Sequence, residues 1–248
     1  MKSTAAMLVI GILAAGLPAN GQGPAPARSD IEQIVKEYIL QHPEVILDSV
    51  RLYQERQQAA ERDRARNAVA GKSAELFRDA NTPVSGPASG KEAEAIPVVQ
   101  FFDYRCGYCK RVRPAIEKLV ASNPNIKLVF KEFPILGPDS ILASKAALAA
   151  RKQNAYLKFH EALMGLTGTI TMDGITEIAA KNGLDAAKLK TDMDAKDIEE
   201  IIDLNQKLAT AIGVTATPTF VIGKELHAGA LDVAGFEELI AKARGEAK

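Results

Sequence analysis

The sequence predicts an α/β domain in which a long helical insertion interrupts a sheet, with a separate helical stalk in front of it. Two observations predict this architecture. Short apolar runs suited to strands alternate with helical patterns in the order strand, helix, strand, a block of helices, two strands and a last helix. Before them, an apolar stripe of helical spacing is followed by a long polar stretch that no globular core could bury.

Composition places the chain among globular proteins and excludes one class of partner. At 248 residues it can bury one or two cores, and 47% hydrophobic with 25% charged residues is ordinary for such a protein. The 31 basic and 31 acidic side chains balance, so no field of one sign attracts a polyanion. We therefore expect no nucleic-acid partner.

Residues 1–21 have the pattern of a secretory signal peptide. Lys2 precedes an apolar run over residues 5–17, and small residues follow up to Gly21. A run of about 13 residues is too short for a membrane span, which takes about 20. We expect cleavage near Gly21 and export from the cytoplasm.

Residues 22–80 are predicted to form a helical oligomerisation segment and a polar helical linker. Apolar side chains of the first part fall on one helical face: Ile31, Ile34, Val35, Tyr38, Ile39, Ile46, Val50 and Tyr53. From residue 54 to 68 alanine is the only apolar residue. A solvated surface helix is the simpler interpretation. We favour a homo-oligomer formed through residues 30–60, because an apolar face needs a partner, and we favour a trimer over a dimer.

Residues 81–248 hold the predicted sheet domain, which starts in a turn-rich stretch at 81–95. Strands are predicted at 96–102, 126–134, 217–223 and 225–231, helices at 107–121 and 233–244, and the helical insertion at about 138–212.

The two cysteines of the chain, Cys106 and Cys109, follow the first of these strands directly. A disulfide between them closes a very short loop, so it would stabilise the fold little as a staple. A zinc site usually needs four ligands, and the histidines at 42, 160 and 227 are scattered. A redox-active pair is the favoured interpretation, with no resident metal.

A strand that leads straight into a helix places Cys106 at the helix N-terminus. Free backbone N–H groups and the helix dipole stabilise a thiolate there, and Lys110, Arg111 and Arg113 add positive potential. Cys106 is therefore the expected attacking thiolate, and Cys109, one turn further on, is expected to resolve the mixed disulfide.

With these motifs, residues 83–246 resemble the thioredoxin fold, and more closely the DsbA-like thiol–disulfide oxidoreductases. Pro114 stands where helices of that fold carry a kinking proline, and Thr217-Pro218 resembles the cis-proline loop that binds substrate backbone. The helical insertion is typical of the DsbA-like branch. Together with the stalk, the chain resembles the suppressor-of-copper-sensitivity protein C (ScsC) group.

The motifs also depart from the DsbA subtype, which has a histidine between its cysteines and a valine before its cis-proline. Here Gly107, Tyr108 and Thr217 resemble the disulfide isomerase DsbC, which implies a weaker oxidant. The family also has a buried acid six residues before the first cysteine, where this chain has Gln100. Asp103 and Glu132 are candidate substitutes, although a solvated or structural role is the simpler interpretation of each.

The resemblance implies a periplasmic disulfide isomerase or reductase whose only cofactor is the redox-active disulfide Cys106–Cys109. Misfolded or oxidised secreted proteins are the implied substrates, and a DsbD-like membrane reductase is the implied electron donor. Two alternatives stay open: a monomeric dithiol oxidase that introduces disulfides, and a copper-tolerance protein that holds Cu(I) between both sulfurs, since soft Cu(I) prefers thiolates.

Overall fold

A computed structural model describes residues 27–79, 82–86 and 95–246. The predicted signal peptide at residues 1–21 lies outside the described residues. The chain divides into two compact units, Met1–Arg56 and Gln57–Lys248. Within the described ranges, no helix combines the length and the apolar character that a membrane crossing requires.

The first unit contains helix α1 (Arg28–Gln41) and the beginning of helix α2 (Pro43–Gly71). His42 separates them, and Pro43 starts α2, where its missing N–H costs no hydrogen bond. Most large apolar side chains of the first unit are exposed, Leu47 by 70% of its surface. An apolar surface of this extent is typical of an interaction site.

The second unit is built on a five-stranded sheet with the order β1-β3-β2-β4-β5. Its strands are β1 (Val84–Ser85), β2 (Ile96–Phe102), β3 (Ile126–Glu132), β4 (Thr219–Ile222) and β5 (Glu225–Ala228). Strands β2 and β3 are parallel, and the other neighbouring pairs are antiparallel.

Helix α4 connects the two parallel strands, and five helices form the insertion between β3 and β4. The helices of this unit, besides the end of α2, are α3 (Ser73–Phe77), α4 (Gly107–Ser122), α5 (Pro138–Arg151), α6 (Tyr156–Met164), α7 (Met172–Lys181), α8 (Ala186–Met193), α9 (Lys196–Ile212) and α10 (Val233–Glu246). The insertion ends at Gly213, whose left-handed φ of 80° suits the residue after a helix.

The sheet carries a separate hydrophobic cluster on each face. Side chains of β2 alternate between them, because successive residues of a strand point to opposite faces: Val98 and Phe102 join the larger cluster, and Val99 and Phe101 the smaller. The larger cluster includes side chains of α4, α10 and the insertion. The insertion is therefore part of the main core, and the predicted α/β fold with a helical insertion is confirmed.

Residues before position 81, the predicted start of the sheet domain, also contact the sheet. Val69 of α2 and Leu76 of α3 are buried in the smaller cluster. In addition, Lys131 of β3 is 1% exposed and donates hydrogen bonds to the backbone oxygen of Glu75 (2.8 Å) and the hydroxyl of Thr82 (2.5 Å). These contacts attach the end of the polar segment to the sheet.

Glu132, the next residue of β3, ties the insertion to the opposite face of the sheet. Its carboxylate accepts hydrogen bonds from the hydroxyls of Tyr104 (3.0 Å), Tyr156 (2.7 Å) and Ser144 (2.8 Å). Its backbone oxygen accepts one from the side chain of Asn205 (3.1 Å). One buried residue thus joins β3 to the turn after β2 and to helices α5, α6 and α9.

Burial raises the pKa of Glu132 to about 8, against the opposing effect of these three hydroxyl donors. His160 lies beside them, with Nδ1 2.9 Å from the Tyr104 hydroxyl, and burial lowers its pKa to about 3. His160 is therefore neutral, so its Nδ1–H can donate to Tyr104 while Tyr104 donates to Glu132.

Glu132→Gln is expected to flatten the pH dependence of stability. Because the pKa of Glu132 is raised in the folded state, its stabilising contribution is complete below its ordinary pKa of 4.5 and is lost as the pH rises through 8. Over this range the wild type should lose roughly 2–5 kcal/mol of unfolding free energy relative to the variant. Denaturant titrations across the range measure the difference. Parallel curves for the two proteins would contradict the assigned pKa.

Candidate active site

Cys106 caps the start of helix α4. Its backbone is extended, with φ −72° and ψ 112°, and its sulfur accepts a hydrogen bond from the backbone N–H of Cys109 at 3.4 Å. Cys106 keeps 6% of its surface exposed, whereas Cys109 is completely buried. Of the two cysteines, Cys106 is the one that keeps any exposed surface.

Asp103 fixes the turn that carries Cys106. Its buried carboxylate accepts hydrogen bonds from the backbone N–H of Arg105 (2.7 Å), those of Ile135 (2.9 Å) and Leu136 (3.0 Å), and the hydroxyl of Ser140 (2.7 Å). The turn after β2 is thereby attached to the loop after β3 and to the start of α5.

The Thr217–Pro218 peptide bond is cis and lies directly in front of β4. Strand β4 pairs with β2, with Phe101 opposite Thr219, which brings the loop before β4 to the end of β2. The thiol of Cys106 donates a hydrogen bond to the backbone oxygen of Thr217 at 3.2 Å. The pairing of β2 with β4 therefore brings the cysteine motif and the cis-proline loop together, although they are far apart in the sequence.

The two thiols have opposite acidities. The pKa of Cys106 is lowered to about 5, first by a side-chain hydrogen bond from Cys109, with further hydrogen bonds from Thr217 and the backbone assisting and burial opposing. The hydrogen bond to Cys106 and then burial raise the pKa of Cys109 far above its ordinary value. At neutral pH this gives one thiolate at the surface and one protonated thiol beneath it.

The dipeptide between the cysteines begins α4, with Gly107 as the first helical residue. Tyr108 points outwards and is 60% exposed. Pro114, which stands where helices of the thioredoxin fold carry a kinking proline, lies inside α4. Among the described residues, no group of three or more histidine, cysteine or acidic side chains is arranged to hold a metal ion.

Family comparison agrees with this geometry. The model of the DSBA-like thioredoxin domain matches residues 97–241. The chain belongs to the DsbA-like thioredoxin family. A second model, the copper resistance protein ScsC N-terminal domain, matches residues 28–60. Both parts of the expected resemblance are confirmed.

Solved structures show the same relationship. A thioredoxin-like oxidoreductase from Silicibacter pomeroyi DSS-3 is 39% identical, covering 69% of this chain and 97% of its own, with a TM-score of 0.65. The catalytic domain of Proteus mirabilis ScsC is 28% identical, covering 73% of this chain and 98% of its own, with a TM-score of 0.63.

The match covers most of one curated relative and only a quarter of another. Disulfide bond formation protein D of Bacillus subtilis is 27% identical over 172 residues, which are 63% of this chain and 76% of that protein. A Na⁺/H⁺ antiporter NhaA 1 of Salinispora arenicola is 26% identical over 160 residues, and the match spans only 24% of its length.

Gln100, at the position of the family's buried acid, lies buried in β2 between Phe130 and Phe220 of the neighbouring strands. The carboxylates proposed as substitutes, Asp103 and Glu132, both accept several hydrogen bonds that hold the turn and the insertion in place. The structure gives both carboxylates a structural role. The buried side chain at the family's acid position is the neutral amide of Gln100.

Two residues near the site were missed in the sequence. Tyr104 and His160 lie completely or almost completely buried against Phe102, with ring centroids 5.3 Å and 4.9 Å from it. His160 was interpreted as an ordinary histidine because no partner is near it in the sequence. Its partner is 56 positions away, so no local pattern reveals the pair.

The thiolate absorbance of Cys106 is expected to titrate near pH 5. Cys109→Ala should move this transition to higher pH, because it removes the largest stabilising hydrogen bond. The matched variant Cys106→Ala should show no thiolate around neutral pH, since the pKa of Cys109 is raised. A Cys106 transition that stays in place without the Cys109 thiol would contradict this account.

Proposed function

We propose that this protein is a periplasmic protein disulfide isomerase or reductase that exchanges disulfides through Cys106 and Cys109. The observation that carries the proposal is the asymmetry of the pair. A sulfur with a pKa of about 5 caps a helix, in a residue that keeps 6% of its surface exposed, and a completely buried thiol of raised pKa lies one turn further on. Thiol–disulfide exchange needs these two roles.

The chemistry starts with the Cys106 thiolate. It attacks one sulfur of a substrate disulfide, a new S–S bond forms as the old one breaks, and a substrate thiolate leaves. If another substrate cysteine then attacks the mixed disulfide, Cys106 is released and the substrate is isomerised without net oxidation. If Cys109 loses its proton and attacks instead, the substrate leaves reduced and the Cys106–Cys109 disulfide forms.

The cis-proline loop supports a role in holding the substrate. Thr217 is half-buried, and its backbone oxygen lies 3.2 Å from the attacking sulfur. When Cys106 is a thiolate it no longer donates to this oxygen, which can then accept a hydrogen bond from a substrate backbone N–H. We assign Thr217 and Pro218 to substrate positioning on this basis.

The acidity of Cys106 argues against an oxidant as strong as DsbA. Attacking thiols of this chemistry have pKa values from about 7 in thioredoxin to about 3.5 in DsbA, a strong oxidant. A pKa of about 5 lies between these limits. A less stabilised thiolate makes the Cys106–Cys109 disulfide a weaker oxidant, as the Gly107-Tyr108 dipeptide also implies.

The first unit supports an oligomeric enzyme. Its helices expose large apolar side chains, among them Ile34 and Leu47, and it matches the ScsC N-terminal domain. We propose that residues 30–60 form a homo-oligomer, with a trimer favoured over a dimer. Several active sites in one assembly can act repeatedly on one misfolded substrate.

Isomerase or reductase activity also needs a source of electrons, because the pair must be returned to the dithiol state after each reduction. We propose a DsbD-like membrane reductase as this donor, with the predicted signal peptide directing the protein to the periplasm. Misfolded or oxidised secreted proteins are the proposed substrates.

A dithiol oxidase is the second candidate, and the likeness to disulfide bond formation protein D favours it. An oxidase would pass the Cys106–Cys109 disulfide to reduced substrates, and it would not need the oligomer. A third candidate is Cu(I) binding by the two sulfurs, which the copper-resistance description of the matched N-terminal domain favours.

The reduced full-length protein is expected to refold scrambled ribonuclease. Cys106→Ser should abolish this activity, because it removes the attacking thiolate. Cys109→Ala should still attack but accumulate mixed disulfides, because the resolving thiol is absent. Fast oxidation of reduced ribonuclease without refolding of the scrambled form would identify an oxidase, and tight Cu(I) binding without any exchange would favour the copper function.

The double variant Ile34→Asp, Tyr38→Asp is expected to dissociate the oligomer. These exposed side chains are four positions apart, so they lie on one helical face, and charges there oppose association. Light scattering should show the mass of one chain, with scrambled-ribonuclease refolding reduced. Lys36→Asp, on a different face of α1, is the matched control and should keep the wild-type mass. A wild type that is already monomeric would overturn the oligomer proposal.

A further inference from the structure

Four cationic side chains surround the reactive turn: Arg105, Lys110, Arg111 and Arg113. Three of them are engaged within the protein. Arg105 forms an ion pair with Asp139 at 3.2 Å, Lys110 donates to the backbone oxygen of Leu166, and Arg113 pairs with Glu161. Their charges are therefore partly neutralised or directed towards the insertion.

Arg111 is different, because no carboxylate of the described ranges lies within ion-pair distance of it. Its guanidinium carbon lies 4.0 Å from the centre of the exposed Tyr108 ring, and a β-carbon at Gly107 would stand 3.7 Å from its Nη1. Stacking on tyrosine holds a guanidinium by its face and leaves its N–H edges available. The charge is thus held beside the residue that follows Cys106.

There is room for a ligand next to this group. A cavity of about 390 Å³ is bounded by Arg111, Pro114, Ala115 and Lys118 on one side and by residues 230–233, at the start of α10, on the other. The acidic residue in its wall, Asp232, accepts a hydrogen bond from the backbone N–H of Gly235 at 2.8 Å. Asp232 therefore caps the N-terminus of α10.

We infer that Arg111 determines substrate specificity by binding a carboxylate of the protein substrate, an aspartate or glutamate close to the cysteine under attack. This inference rests on the proposed exchange function and names its preferred substrate class. A guanidinium matches a carboxylate with two parallel hydrogen bonds, and both N–H edges and net charge are available here. Disulfides with acidic neighbours are the preferred substrates.

The test uses the reduced full-length protein and two disulfide peptides of one sequence, with glutamates beside the reacting cysteine in one and glutamines in the other. Stopped-flow kinetics give the rate constant for each peptide. The wild type should favour the glutamate peptide, and Arg111→Gln should lower this preference about threefold to tenfold. Arg111→Glu should reverse the preference. Lys207→Gln, which removes one exposed charge at a cavity lined by Lys131 and Leu208 instead, should leave it unchanged.

If Arg111 instead stabilises the Cys106 thiolate and does not bind substrate, the expected result is different. In that case Arg111→Gln would slow both peptides equally and raise the pKa of Cys106, and the inference would be overturned. A preference that persists in Arg111→Gln and Arg111→Glu would overturn it as well. Failure of the wild type with both peptides would count against the exchange function itself, so the two proposals fail in distinguishable ways. Higher ionic strength should weaken the wild-type preference and leave the glutamine peptide unaffected.

Discussion

The active site depends on the way Cys106 and Cys109 share one helix start. The backbone N–H and the thiol of Cys109 both donate to the Cys106 sulfur, so a single geometry caps the helix, stabilises one thiolate and keeps the other thiol protonated. All three effects arise from the contact between Cys109 and the Cys106 sulfur. A pair placed in the middle of a helix would have no unpaired N–H groups to offer the sulfur.

Hydrogen bonds hold this helix start on one face of the sheet and a separate chain segment on the other. Asp103 attaches the turn to the loop after β3, and Glu132 attaches β3 to the turn through Tyr104 and to the insertion through Tyr156. Its neighbour Lys131 points to the other face and holds the segment that arrives from the stalk. Consecutive residues of one strand thus secure two different parts of the chain, because strand side chains alternate between faces.

Local patterns predicted the elements well where they were long and buried. Strand β2 has the predicted bounds, Ile96–Phe102, and α4 starts at Gly107 as expected. Strand β1 was missed because two residues in a turn-rich stretch carry no periodicity. The burial of Val69 and Leu76 was not predicted, since it depends on contacts with distant strands rather than on a local pattern.

The sequence by itself determined the cysteine pair, the helix start that carries it and the family, because these depend on residues close together in the chain. Only the tertiary structure decided what Asp103 and Glu132 do, which partner His160 has and which cation near Cys106 lacks a carboxylate. Each of these depends on side chains brought together by strand pairing and helix packing across tens of residues. Short-range spacing specifies a helix start, whereas pairing at such separations is specified by the whole core.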